Sequence, residues 1–333
     1  MHRLSCTAAV ALLAGCSGGQ SPPPAVAVVP AGLNQAARPR VAPNHVTPFV
    51  NVAGIKASHG NQTFVTDAGT ATVTVWGGNG RLNAILFDGI NADPQGLATD
   101  AAQNLYVANL AFSNVIVYAK PYTSIKATLN DAGEDTEDVA VDKKGLVGVT
   151  NYLTTSLMPG SVSFFAKNAT QPCSVVQDPN WVYFFNDAFD ASGNLFIDGQ
   201  SLAGATLVGE VSGGCKASSI TTLSVGNTIS RPGGVQVSDG SILIGDVNKQ
   251  AIYTYAPPSG GSLGSPTLVT TLAGAETPVT FAMEENGKLV RTADFAADKL
   301  YAALYTYPKG SYVSKLADHL WAVAVAVYPP ARP

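Results

Sequence analysis

Charge is scarce in this chain: Asp, Glu, Lys and Arg make up 13% of its 333 residues, against about 25% in an ordinary soluble domain. No run of Lys or Arg gathers anywhere in the sequence, and the formal net charge is −4. A phosphate backbone needs a basic face, so nucleic acid is not an expected partner. Helical spacing is missing too: beyond the N-terminus no stretch of twelve or more residues repeats its apolar positions at 3 and 4, which argues against helix bundles and helical repeats. No apolar run reaches the ~20 residues of a membrane-spanning helix. What the chain does have is 33 Gly, 21 Pro and many short runs of β-branched and aromatic residues. That is the composition of strands joined by tight neutral turns.

Those runs recur at a fixed period. A strand closes on Asp or Asn at Asp67, Asn109, Asn151, Asp198, Asp246 and Asp294, at spacings of 42, 42, 47, 48 and 48 residues. A following strand ends in Val73–Trp76, Val115–Tyr118, Val162–Phe165, Leu207–Val211, Ile252–Tyr255 and Leu304–Tyr307, with the alternation a sheet demands. A fourth strand ends each unit near Leu86, Leu129, Val176, Leu223, Leu272 or Leu316. Four strands per 42–48 residues are propeller blades. The expected fold is all-β, a six-bladed β-propeller over residues 49–333. Trp321–Tyr328 reads as an innermost strand with no further strands after it, while the first unit lacks one of its own. The C-terminal strand is therefore expected to complete the first blade, because an open ring leaves a bare sheet edge.

The best-formed unit runs Pro94-Gln95-Gly96-Leu97-Ala98-Thr99-Asp100, then Asn104-Leu105-Tyr106-Val107-Ala108-Asn109. With Val139–Asp142, Asp190, Gly193–Phe196 and Pro232–Val235 it resembles the NHL family of propellers. The resemblance covers roughly residues 60–328. It departs where the family has an Arg-Ile pair starting the third strand: here stand Asn114-Val115, Gln250-Ala251 and Lys299-Leu300. RNA-binding members use a basic face, so the missing arginines count against that activity.

The N-terminus carries Arg3, an apolar stretch from Leu4 to Ala14, and Leu13-Ala14-Gly15-Cys16. This resembles the lipobox of bacterial lipoproteins. It implies a signal peptide over 1–15, removed from the mature chain, and acylation of Cys16, which anchors the protein to a lipid bilayer. Residues 16–48 hold Pro22-Pro23-Pro24, Pro30, Pro39 and Pro43 without periodicity, and read as an extended tether. The expected location is the bacterial cell envelope, periplasmic or surface-exposed, on the outer membrane if the cell has two.

Candidate chemistry is concentrated at the start of two innermost strands. Glu137-Asp138 in blade three and Asn186-Asp187 in blade four sit in matching places 49 residues apart. Asp131–Asp138 concentrates five acids in eight residues. Two readings stand: a solvated acidic loop, or oxygen donors at a channel mouth for a ligand or a hard cation such as Ca²⁺. The six Asp and Asn residues that close the second strands read first as turn caps. Gly260-Gly261-Ser262-Leu263-Gly264 fits a nucleophile pattern but lacks the strand-then-helix setting that chemistry needs. His59 and His319 are expected to approach across the first blade with no third partner. Cys173 and Cys215 lie at like places in consecutive blades; a bridge and two free thiols are equally open.

The function expected is that of an anchored propeller that binds or scaffolds an unknown small molecule or envelope protein. The alternative is a metal-dependent hydrolase like the gluconolactonases, six-bladed enzymes with an acid/Asn set around a central metal.

Overall fold

The computed structural model describes residues 61–333 apart from 79, 88–91, 297–298, 317–321 and 331. The signal segment, Cys16, the tether, His59, His319 and Trp321 lie outside the described residues. Six sheets follow one another. Blade two holds Pro94–Thr99, Leu105–Asn109, Asn114–Ala119 and Ser124–Asn130, and blade three Glu134–Val141, Val147–Thr154, Pro159–Phe165 and Ser174–Val176. Blade four holds Tyr183–Phe189, Leu195–Gln200, Thr206–Val211 and Thr221–Val225. Blades five and six start from Pro232–Ser238 and Pro278–Met283 and repeat the pattern. Blade one is assembled from both ends: Ala322–Tyr328 pairs antiparallel with Gln62–Asp67, which continues to Thr72–Gly77 and Leu82–Phe87. The ring closes as the leftover tail strand predicts, with Gln62 opposite Tyr328.

The first strands of neighbouring blades pack side by side in a closed circle. Outside them the period-2 alternation sends successive side chains to opposite neighbours. Ile116 and Tyr118 join Phe64, Val73 and Leu86 of blade one, whereas Val115 and Val117 join Val139, Val149 and Phe165 of blade three. Such a cluster fills each of the six gaps between blades. Fully burying one such Val, Leu, Ile or Phe contributes roughly 1.5–3 kcal/mol, so the interfaces between sheets are the core.

Cys173 and Cys215 form a disulfide, with Cα atoms 5.1 Å apart. Neither lies within a strand: Cys173 precedes Ser174–Val176, and Cys215 sits in the short 3-10 turn Gly214–Lys216. The connections lean together where the strands themselves diverge, and Ser174 Oγ donates to the Ala217 carbonyl at 2.7 Å beside the bridge. The bridge staples blade three to blade four. Replacing both cysteines with serine is expected to reduce stability by about 4 kcal/mol, the loop-closure value for a 42-residue separation. Denaturant titration with and without reductant checks this; an unchanged midpoint would show the staple to be idle.

The Ser262 segment is a second staple. Ser262–Gly264 pairs in parallel with the outer strand Thr221–Val225 and adds a fifth strand to blade four. Ser262 Oγ bonds the Ser224 carbonyl at 3.3 Å. Among the described residues no helix follows it, so the serine has an edge-pairing role rather than the setting of a nucleophile.

Candidate functional site

The turn-cap reading of these Asp and Asn residues holds at Asp67, which accepts from the Thr70 N–H, and at Asp246, which accepts from those of Asn248 and Lys249; the commoner bond reaches back to the segment before the innermost strand. Asn109 Oδ1 accepts from the Asp93 N–H, Asp246 from those of Ser230 and Arg231, and Asp294 from those of Glu276 and Thr277. Each ties a strand end to the backbone just before the innermost strand, at the face where the innermost strands begin. Asn151 differs: its Nδ2 donates to Asp131 at 3.0 Å, and Ser163 Oγ donates to the same carboxyl at 2.9 Å. Asp131 is therefore buried and satisfied, not part of a solvated loop. Its neighbour Glu134 is pushed up to about 7 by burial and by the charge of Asp131.

Every innermost strand carries a register shift against its neighbour; what differs in blades three and four is the residue after it, where the shifts fall between Thr136 and Asp138 and between Phe184 and Asp187. A bulge re-aims the side chains that follow it, and here the following residues are the two aspartates. Asp138 lies opposite Thr150 and Asp187 opposite Ile197. Each partner directly precedes the Asp or Asn of the repeat, Asn151 or Asp198, so the two acids occupy the same station in adjacent blades; the strands themselves run on past these residues, to Thr154 and Gln200, rather than closing on them. Asp138 Oδ1 accepts from the Val139 N–H at 2.9 Å, and Oδ2 from the Asp187 N–H across the blade gap at 3.2 Å. Its carboxyl rests on Gly96 of blade two, where a Cβ would overlap Oδ1. Glycine is needed there to make room for the acid.

Asp187 is the unusual member. It is 5% exposed, and both carboxyl oxygens are buried without a hydrogen-bond partner. Asp198, fully buried within the neighbouring strand Leu195–Gln200, accepts at Oδ1 from Asn186 N–H and Nδ2 at 3.0 and 2.9 Å, while Oδ2 has no partner. Burial, then the charges of Asp138 and Asp198, hold the Asp187 carboxyl well above the ordinary range. Burial likewise raises Asp138, against the pull of its two backbone N–H donors. Burial takes Asp198 to about 7 despite the Asn186 bonds. Three carboxyls thus share one low-dielectric wall in which they cannot all be ionised cheaply.

That wall borders the central channel. Asp138, Asn186 and Asp187 line a cavity of 180 Å³ together with Gln236, Thr280 and the inner faces of all six blades. Glu137, whose charge contributes to raising Asp138, does not line it. Other polar groups here lace the blades together: Thr99 Oγ1 donates to Val327 O, Thr280 Oγ1 to Val323 O, and Met283 N–H to Gln236 Oε1. Pro330 and Pro333 lie against the cavity at the end where the innermost strands finish, and the Arg332 carbonyl accepts from Asp239 N–H at 2.7 Å. The tail therefore lies across that end, on the side away from the face where the innermost strands begin.

The four residues singled out in the sequence do not act alike. Asp138 and Asp187 come together; Asn186 spends its amide on holding Asp198; Glu137 stands back from the cavity. Asp198 belongs to the cluster, yet in the sequence it is one of six equivalent strand ends. Among the described residues no group of three or more His, Cys, Asp or Glu side chains is placed to hold a metal ion. Ca²⁺ takes 6–8 oxygens, and Asp138 already has both of its own turned to backbone donors, so the residues present do not fit a calcium cage.

The fold and site together define a six-bladed β-propeller with an acidic channel wall. No family model matches the chain, and no curated protein matches it. Solved structures do. One is a chain of a nidogen/laminin complex, 14% identical, covering 80% of this chain and 98% of that one with a TM-score of 0.61. Another is virginiamycin B lyase from Staphylococcus aureus, 12% identical over 74% of this chain and 80% of that one, TM-score 0.53. A third is a functionally unknown protein from Desulfotomaculum acetoxidans, 9% identical over 82% and 99%, TM-score 0.56. At these identities the likeness shows the fold alone.

Proposed function

We propose that the chain is a lipid-anchored, extracytoplasmic binding module whose channel wall receives a small ligand, or an envelope-protein side chain, bearing a cationic or donor-rich group. The observation that carries this is the pair of buried, partnerless Asp187 oxygens beside the cavity. An uncompensated buried carboxyl costs several kcal/mol. A protonated amine entering from the face away from the tail offers the missing donors, and in the low-dielectric wall its bond to a carboxylate is among the stronger ones. Ligand entry then displaces the proton that the cluster holds.

The anchoring half rests on Leu13-Ala14-Gly15-Cys16 and the proline-rich stretch to residue 48. The Cys173–Cys215 bridge fits an oxidising compartment such as the periplasm or cell surface. The Pro94–Asn109 pattern and its partial copies support an NHL-like lineage. Among the described residues no helix is long and apolar enough to cross a membrane. The hydrolase alternative needs a central metal, and the donor set described above does not favour it.

Calorimetric titration with a panel of alkylamines and diamines, each beside its neutral alcohol, tests the binding half. Saturable amine binding accompanied by proton release is expected, with no response to the alcohols and none in Asp187→Asn. Equal binding by amine and alcohol, or binding that survives Asp187→Asn unchanged, would overturn the assignment of the site.

A further inference from the structure

The structure gathers a cationic cleft, sharing no lining residue with the channel cavity, that no run in the sequence announces. Between blades two and three, at the face where the innermost strands end, a cavity of 240 Å³ is lined by Lys126, Lys143, Lys144 and Lys167. These come from three separate places: the outer strand Ser124–Asn130, the hairpin joining Val141 to Val147, and the hairpin joining Phe165 to Ser174. All four lysines are exposed, and none forms an ion pair with a described residue. Two aspartates also line the cleft, but both are committed to turns. Asp100 accepts from Asn104 N–H and Nδ2 at 2.8 and 2.5 Å and from the Tyr106 hydroxyl at 3.3 Å; Asp142 accepts from the Lys144 and Leu146 N–H groups, both at 2.8 Å.

The cleft is built rather than incidental. The aliphatic stem of Lys167 lies over Gly145, where a Cβ would come within 3.1 Å of Lys167 Cγ. Gly145 has φ +88°, a turn conformation that suits glycine, so the turn presents Lys143 and Lys144 while leaving room for Lys167. The inner end is apolar, made by Val117, Leu129 and Val147. Four lysines against the two turn-bound aspartates leave the lining a formal charge of 4 − 2 = +2, in a chain of net charge −4, and so focus a local positive potential.

We propose that this cleft is a second binding site, for a hexose-sized molecule bearing an oxyanion: a carboxylate, sulfate or phosphate on a ring whose less polar face lies against the valines and Leu129. Size decides the scale. A cavity of 240 Å³ falls below the ~300–1,000 Å³ of drug-sized sites and suits a single sugar ring. Lysine ammoniums act as point charges without the bidentate geometry of arginine, so the site selects charge and size over one oxyanion shape. It is independent of the acid cluster in the channel.

The test is titration of the purified propeller with glucuronate, glucose 6-sulfate and glucose 6-phosphate, with glucose and inorganic sulfate as controls, followed by amide chemical shifts. At least one sugar anion is expected to bind saturably, moving the amides of residues 142–146 and 166–169, and to weaken as salt rises. Which anion binds identifies the source of the charge. Lys144→Gln and Lys167→Gln are each expected to reduce affinity roughly tenfold, the loss of one charge-assisted hydrogen bond, with unfolding temperature unchanged. Asp187→Asn is expected to leave this binding intact. No saturable binding, binding of glucose equal to that of the anions, or affinity indifferent to both lysine substitutions would overturn the proposal.

Discussion

At pH 7.5, Asp187→Asn unfolds at a higher temperature than the parent chain, and its stability changes less between pH 4 and pH 7. The sign follows from which state holds the protons. In the unfolded chain an Asp titrates near 3.9. In the folded chain Asp138 and Asp187 are held well above that value and Asp198 at about 7. Between about pH 4 and pH 7 the native state therefore binds more protons than the unfolded one, and stability falls as pH rises through that window. One pKa unit is about 1.4 kcal/mol, so Asp198 alone loses on the order of 4 kcal/mol across it. At pH 7.5 the unfolded Asp187 is ionised and must take up a proton to fold into the wall; Asp187→Asn removes that cost. A gain of a few kcal/mol moves the midpoint by several degrees, at about 2–4 °C per kcal/mol for a domain of 150–250 residues. Thermal unfolding of both proteins across that pH range is the check; a lower midpoint with the pH slope preserved would mean that the carboxyl has a partner and is stabilising. A stabilising substitution that also ends ligand binding is the expected mark of a residue retained for function.

Removing the final strand is expected to destroy the fold. Truncation before Ala322 takes Ala324 and Ala326 from the core between blades one and two, and Ala322, Val325 and Val327 from the core between blades six and one. It also strips the pairing from Gln62–Asp67, all six of whose residues are buried, and frees Thr66 Oγ1 from its 2.8 Å bond with the Ala324 N–H. Two interfaces lost together exceed the 5–15 kcal/mol that holds an ordinary domain, and the bared edge is a site for aggregation. The truncated chain is expected to show no cooperative unfolding. A circular permutant is the control: because Gln62 lies opposite Tyr328, residues 322–328 placed before Gln62 through a short turn make an ordinary hairpin. That permutant is expected to fold. A truncated chain that unfolds cooperatively would show that ring closure contributes little.

Much of this architecture is written in the sequence because sheet alternation is a strong local signal. Val115-Ile116-Val117-Tyr118 announces a strand buried on both faces, and those faces fill two different interfaces. Closure is legible for a simpler reason: Ala322–Tyr328 is a strand with nowhere else to go. The site is only half legible. Asp138 and Asp187 stand out by their matched stations, but the bulges that turn them into one wall depend on pairing register, which a sequence does not display. Asp198 looks like its five counterparts and differs only because blade four carries Asn186 and Asp187 above it. Gly96 reads only as part of the NHL-like unit and is in fact the clearance for Asp138. The disulfide stays open in the sequence because reasoning from strands separates the cysteines, whereas the hairpins bring them together. The lysine cleft is invisible for the same cause: residues 126, 143, 144 and 167 meet only through three connections.

The central claim is that the channel wall stores a proton on a buried, partnerless carboxyl until a cation replaces it. Infrared difference spectroscopy of the carboxyl stretch at pH 7 reads this directly. The account predicts a protonated-carboxyl band in the free protein that diminishes in Asp187→Asn and falls by a like amount when an amine binds the parent chain. A free protein with every carboxyl ionised at that pH would contradict it.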